Sequence, residues 1–305
     1  MRLINRSFNN ESSNFKKMIQ FIIEENSYKK DCFSWSLGRI VDWKYGLWSE
    51  KKYIPSFFSQ NAQLWFDYNE NLVGFAISEN GDNMFYIFTN NKYPFLYEEI
   101  LNWVKINWNN RQGLLYTEIV ENEEYKMRVL EKNNFYSKGV CEVTRAFNCS
   151  NALSKNTELP QGFCYSNMKE KFDPMGQAKM RLNAFRNQNI INKIDILVFD
   201  YVRESPIYNP EFDFYIMNQN GEHVCGCEAF IDYNNCTAEI ERVCTHSQYR
   251  KNGFAKKILI KCMQELAKHG IEKAYITGMS KIAINLYGKL GHENEVKRFY
   301  YELSK

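Results

Sequence analysis

Apolar positions that alternate with polar ones mark strands along this chain, and a 3.6-residue recurrence marks helices. Thr237 to Thr245 (TAEIERVCT) alternates as a half-buried strand does. From Phe254 the pattern turns helical. Ile258, Leu259, Cys262, Met263, Leu266 and Ala267 recur on one face, and Gly270 supplies the stop. Ala274 to Thr277 reads as a short strand. Ser280 reads as the N-cap of a helix over Ile282 to Leu290 that Gly291 ends. The densest apolar stretch, Ile194 to Val202, is broken by Asp195 and Asp200 and reads as a buried strand.

The same patterns occur twice. Ile54 to Ala76 and Pro206 to Cys227 each give a Pro-containing segment, an aromatic-rich strand, a polar turn (Asn69 to Asn71; Asn218 to Gly221) and a second strand opening on Val and Gly. That is a β-hairpin signature used in both halves. Val129 to Phe135 (VLEKNNF) and Leu286 to His292 (LYGKLGH) correspond as well, each following a helical stretch and preceding a strand (Ser137 to Phe147; Glu295 to Leu303). Asn148 to Gln161 is polar, contains Pro160 and reads as the linker. The expected organisation is an α/β (α+β) chain of two similar units, residues 1–148 and 149–305.

A length of 305 residues suits two domains of ~150 residues each. An aromatic content of 16% excludes a disordered chain. No window approaches the ~18 uninterrupted apolar residues of a membrane span. The opening MRLINRSFNNESS lacks the apolar core of a secretory leader, so a cytoplasmic, membrane-free protein is expected. Nine Cys without a CxxC pair and four scattered His argue against a metal site and suit a reducing compartment. A net charge of +3 is too small to argue for nucleic acid. Its placement is more telling. The first 148 residues balance 18 basic against 18 acidic side chains, while the rest hold 21 against 18.

Those surplus charges crowd one turn. Between the strand ending at Thr245 and the helix from Phe254 stands Arg250-x-x-Gly253-x-Ala255, with Lys251, Lys256, Lys257 and Lys261 nearby. Small residues let a backbone approach a ligand, N–H groups at a helix start point outward, and the helix dipole favours anions. Such a strand–turn–helix is suited to a pyrophosphate.

With AEIERVCTHSQYRKNGFAKKIL (238–259) and SKIAINLYGKLGH (280–292) in hand, the chain resembles the GNAT superfamily of acyl-CoA-dependent N-acetyltransferases. The first segment is similar to its coenzyme-A motif, the second to its closing A-x-x-L-Y-x-K-x-G-F motif. The resemblance implies two units, each a mixed, mostly antiparallel twisted sheet flanked by helices. The first half resembles a degenerate copy: TNNKYPFLYEEILNWV stands where the loop belongs, without Arg-x-x-Gly, and Leu130 takes the place matching Tyr287.

The resemblance also implies roles. Acetyl-CoA is the co-substrate, with no metal. Val243, Cys244 and Thr245 lend backbone to the pantetheine, and the Val243 N–H meets the thioester oxygen. Arg250, Lys251, Asn252, Gly253, Phe254, Ala255 and Lys256 cradle the pyrophosphate. Ser280 stands where the family often has an Asn that contacts the coenzyme. Tyr287 matches the tyrosine that protonates the departing thiolate, and Glu239 or Glu241 is the base. A small-molecule or peptide amine is the acceptor. The alternatives are a non-catalytic acyl-CoA-binding or regulatory protein, or an aminoacyl-tRNA-dependent transferase of paired GNAT-like fold. The intact loop counts against the latter. Trp35, Trp43, Trp48, Trp65 and Phe66 read as core residues or as the wall of an acceptor cleft.

Overall fold

Runs rich in β-branched and aromatic residues form the strands, and amphipathic stretches bounded by caps and left-handed turns form the helices. The computed structural model describes residues 3–9, 12–28, 37–46, 52, 54–109, 111 and 113–304. In chain order the elements are β1 (Ile4–Ser7), α1 (Ser12–Tyr28), α2 (Leu37–Tyr45), α3 (Phe57–Asn61), β2 (Ala62–Phe66), β3 (Leu72–Ile77), β4 (Tyr86–Thr89), α4 (Leu96–Asn107), β5 (Tyr116–Val120), α5 (Glu124–Lys132) and β6 (Phe135–Asn148). They continue with β7 (Phe163–Asn167), α6 (Pro174–Arg186), α7 (Lys193–Asp200), β8 (Asp213–Asn218), β9 (His223–Asp232), β10 (Thr237–Thr245), α8 (Phe254–Lys268), β11 (Lys273–Gly278), α9 (Lys281–Gly288) and β12 (Asn294–Leu303).

Internal contacts group these into two units. One comprises Met1–Ser36, Trp48–Val143 and Val296–Lys305; the other comprises Leu37–Leu47 and Thr144–Glu295. In the first, β1, β2, β3 and β4 follow one another as antiparallel neighbours. The β2–β3 turn closes because the Asp67 carboxylate accepts from the N–H groups of Asn69 and Asn71, both at 2.9 Å. β12 pairs antiparallel with β5, Phe299 opposite Ile119. Trp65, Ile100, Leu101, Leu130 and Phe135 form the core.

In the second unit the strand order is β6, β11, β10, β9, β8, β7, antiparallel from β10 to β7 and parallel between β10 and β11. Ile258, Leu259, Cys262, Met263 and Leu266 of α8 pack on Cys225, Cys227 and Ile240. Successive strand residues point to opposite faces. Gly226, between the two cysteines, therefore faces away from α8, and a Cβ there would stand 2.5 Å from Met180 of α6. α6 and α2 cover β9 and β10 from that side.

Two expectations are corrected. Ile194 to Val202 is not a strand: α7 occupies most of it, and Tyr201–Glu204 continues as a short 3-10 helix. The cause is a capping box, in which the Asn192 side chain accepts from the Asp195 N–H and the Asp195 carboxylate from the Asn192 N–H, each at 3.1 Å. Val198 and Phe199 then bury against Ala178 and Leu182 of α6. Asn148 to Gln161 is also more than a tether. Cys149 and Ala152 lie in the core of the second unit, and Gln264 donates to the carbonyls of Ala152 and Lys155 at 2.9 Å.

Candidate active site

The centre of the second unit is a place where β10 leaves its neighbour. The parallel ladder covers only Thr237, Ala238 and Glu239, opposite Lys273, Ala274 and Tyr275. Beyond it β10 runs on to Thr245 and β11 to Gly278. On the other edge of β10, pairing with β9 slips between Glu241 and Cys244, with Arg242 in the left-handed region at φ 52°. The bulge adds a residue, so Ile240 and Val243 both meet the core under α8. Cys244 is buried on the opposite side, where burial pushes its thiol up to about 12 against the pull of Arg181. It stays protonated and unreactive near neutral pH.

A short turn carries the chain from β10 to α8. Ser247–Tyr249 forms a single 3-10 turn, pinned where the Ser247 N–H donates to Asn183 Oδ1 at 2.6 Å. The Arg250 guanidinium holds the same corner through the carbonyls of Ala184 (2.9 Å) and Thr245 (3.3 Å). The Asn252 amide donates to the Tyr249 carbonyl at 3.2 Å. Lys251 and Gly253 stand at φ 66° and 78°. This alternation turns successive N–H groups toward one side. No side chain caps the first turn of α8, and no acidic residue sits in it. Lys251, Asn252, Gly253 and Lys256 are exposed, Ala255 is half-buried, and Phe254 is buried with its ring 4.8 Å from that of Phe163.

Glu239 and Glu241 lie on the face under α2. The two stand two residues apart on the strand and so share that face. Burial, then the neighbouring charges of Glu239 and Asp42, holds Glu241 well above the ordinary carboxylate range, against Arg242. Gly38 of α2 packs so closely that a Cβ there would stand 2.3 Å from Glu239 Oε2 and 3.2 Å from Glu241 Cγ. Glu239 is buried and Glu241 half-buried.

Tyr287 of α9 is buried in the α8 core, and its hydroxyl is raised by burial first and then by Glu241. Ser280 caps α9 by accepting from the Ala283 N–H at 3.2 Å. Arg145 of β6 fixes the same helix, donating to the Ile284 carbonyl at 2.6 Å while ion-pairing with Glu295 at 2.6 Å.

The second unit thus brings Glu239, Glu241, Val243 and Tyr287 around one strand and sets residues 250–256 at its end. Sequence reading missed Asp42, Arg181, Glu228 and Arg242, which form a buried ion network beside the pair. The one local signal was two charged residues side by side, Glu241 and Arg242, in an otherwise alternating strand. Trp43, Trp65 and Phe66 are core residues. Trp35 and Trp48 lie outside the described residues. Among the described residues no group of three His, Cys, Asp or Glu is placed to hold a metal ion, and no helix is long and apolar enough to cross a membrane.

Comparison with known proteins defines the class. Over the whole chain the fold is that of the tandem GNAT proteins. A tandem GNAT protein from the clavulanic acid biosynthesis pathway superposes with a TM-score of 0.65 at 8% identity, covering 100% of this chain and 99% of its own. An acetyltransferase of the GNAT family from Colwellia psychrerythraea gives 0.60 at 12% identity, covering 100% of both chains. A GCN5-related N-acetyltransferase from Sphaerobacter thermophilus gives 0.59 at 14%, covering 99% of this chain and 96% of its own. No curated protein sequence matches significantly. Residues 185–292 match the model of the acetyltransferase (GNAT) family, so the chain carries a GNAT-family domain there. Fold and domain support an acyl-CoA-dependent acyltransferase.

Proposed function

We propose that the chain is an acetyl-CoA-dependent N-acetyltransferase that acts on an amine of a small molecule or peptide, by direct attack in a ternary complex. The observation that carries this reading is the course of β10. It parts from β11 after Glu239, bulges at Arg242 and ends in a turn that opens α8 without a capping side chain. These residues fit the coenzyme. The left-handed backbone at Lys251 and Gly253 and the exposed Lys256 would hold the pyrophosphate, with Arg250 bracing the turn. Val243 to Thr245 would run beside the pantetheine, and Ser280 would stand near it.

Acetyl-CoA supplies an acyl group activated as a thioester. As the amine nitrogen bonds to the acyl carbon, Glu241 takes its proton. Burial and the neighbouring charges of Glu239 and Asp42 raise the proton affinity of Glu241, so in its ionised form it is a stronger base than an ordinary carboxylate. The Val243 N–H donates to the carbonyl oxygen while negative charge builds there, a contribution of ~3 kcal/mol for such a donor. As the carbon–sulfur bond breaks, the Tyr287 hydroxyl gives its proton to sulfur. The products are an N-acetylated acceptor and the coenzyme thiol. In this reading residues 149–305 bind and catalyse, residues 1–148 serve as scaffold, and the enzyme works in the cytoplasm.

The test is direct. The protein is incubated with acetyl-CoA and a panel of amino acids, polyamines, amino sugars and peptide N-termini, and free coenzyme is quantified by chromatography. Amine-dependent release is expected. Tight acetyl-CoA binding without release for any amine would favour a binding protein instead.

A further inference from the structure

Asp42 reaches the β10 bulge from α2, a segment 200 residues away along the chain. Its carboxylate ion-pairs with the Arg242 guanidinium. Another nitrogen of that guanidinium meets Glu228 of β9 at 2.9 Å, and Glu228 meets Arg181 of α6 at 2.8 Å. Arg181 continues to Asp213 of β8 at 3.1 Å. The Arg242 side chain is 3% exposed and that of Asp42 7%. Gly46, just past α2, seals the pair, because a Cβ there would stand 2.4 Å from both Arg242 Nη2 and Asp42 Oδ1. An arginine at φ 52° holds a conformation that an L-residue keeps only when its surroundings impose it. Here the surroundings are two carboxylates on different elements.

We infer that Asp42 is a positioning residue: by clamping Arg242 it holds the β10 bulge in the form that sets Val243 beside the thioester and Glu241 beside the acceptor. This rests on the acetyl-transfer reading above. Without the Asp42 charge, Arg242 keeps its ion pair with Glu228, which Arg181 already shares, and the bulge loses its restraint from α2. The same charge acts on Glu241. The groups around that carboxyl are Glu239 and Arg242 on β10, Glu228 opposite it on β9, Asp42 on α2 and Tyr287 on α9. Removing Asp42 makes Glu241 easier to ionise.

Asp42→Asn in the full chain tests this. Local amide exchange over residues 240–246 should quicken ~10-fold, with α8 unchanged. Exchange equal to wild type overturns the clamp. Acetyl-CoA affinity by calorimetry should stay within ~2-fold. Turnover with the best amine of the panel should fall ~10- to 100-fold. The acid limb of the rate profile should move to lower pH. Loss of acetyl-CoA affinity together with loss of exchange protection throughout the second unit means general unfolding and overturns the positioning role. Asp42→Asn with Arg242→Gln leaves no unpaired charge at the bulge. It should lose no more turnover than the single variant, and a multiplied loss overturns the proposal. Should Asp42→Asn alone not fold, the double variant carries the same exchange comparison. Absence of coenzyme release by wild type for every amine refutes acetyl transfer, while the exchange result still decides the clamp.

Discussion

Placing a charge at Gly253 tests the phosphate site most sharply. Gly253 opens α8 at φ 78°, and a Cβ there would meet nothing within 4 Å. A side chain therefore fits, at a backbone cost of about 1 kcal/mol for leaving glycine in the left-handed region. Gly253→Gln and Gly253→Glu share that strain and nearly the same volume, and differ by one charge. A carboxylate ~5 Å from a phosphate at an effective dielectric of ~20 opposes binding by about 3 kcal/mol. Screening at this exposed position reduces the effect to about 1–2 kcal/mol, a ~5- to 30-fold loss of affinity. The folded state responds with the opposite sign, because a helix N-terminus favours an anion. Calorimetric titration with acetyl-CoA should rank wild type above Gln above Glu, with the Gln–Glu gap shrinking at high salt. Thermal midpoints should place Glu at or slightly above Gln. Equal affinities for the two variants at low ionic strength would refute the assignment of phosphate to this turn.

Three further outcomes follow from the same geometry. Tyr287→Phe should lower turnover ~100-fold while acetyl-CoA affinity changes less than ~2-fold; unaltered turnover in steady-state assays would leave Tyr287 a packing residue. Calorimetry should return one acetyl-CoA per chain, and a second site of similar affinity would contradict a scaffold role for the first unit. His223, stacked on Tyr215 at 3.7 Å, is pushed by burial down to about 4, against the pull of Asp173. Its unfolded value is near 6.5, so its contribution is complete above pH 6.5 and is lost as pH falls toward 4, by about 3 kcal/mol. Chemical denaturation across that window should show a shallower decline for His223→Gln, and an unchanged slope would sink the assignment.

How much of this was legible in the sequence depended on how local each cause was. β10 spans Thr237–Thr245 and α8 starts at Phe254, as read from periodicity, and Ser280 does cap α9. Those signals lie within a few residues of what they cause. Ile194 to Val202 misled because a short apolar run has no decisive period. The deciding groups, Asn192 and Asp195, sit at its edge and act through backbone N–H groups. The Asp42 clamp was not legible at all. Nothing near Leu37–Tyr45 shows that it packs on a strand 200 residues later. Pairing at such separation is fixed by tertiary packing, which no local window samples.

The two units share a plan and diverge in what fills it. In the first, β4, α4, β5 and α5 succeed one another as β10, α8, β11 and α9 do in the second. A parallel contact stands near the start of each plan: an isolated bridge from Met84, just before β4, to Tyr116 in one, and the ladder of Thr237–Glu239 with Lys273–Tyr275 in the other. In the first unit side chains fill the space between β4 and β5, while a cavity of about 300 Å³ remains at the strand ends, lined by Thr89, Pro94, Asn122 and Lys126. The Tyr86 hydroxyl donates to Glu118 at 3.1 Å, and Lys126 pairs with Glu123 at 2.7 Å. The cavity they line is about 10 Å³, at the limit for one water molecule. Leu130, which the sequence correspondence sets against Tyr287, is fully buried and carries no ionisable group. The helix ends differ in charge as well. The first turn of α4 carries Glu98 and Glu99, whose carboxylates satisfy the dipole and repel phosphate. The first turn of α8 carries no acid and exposes Lys256. The surplus positive charge of the second half therefore gathers at a helix start that carries neither an acidic residue nor a capping side chain.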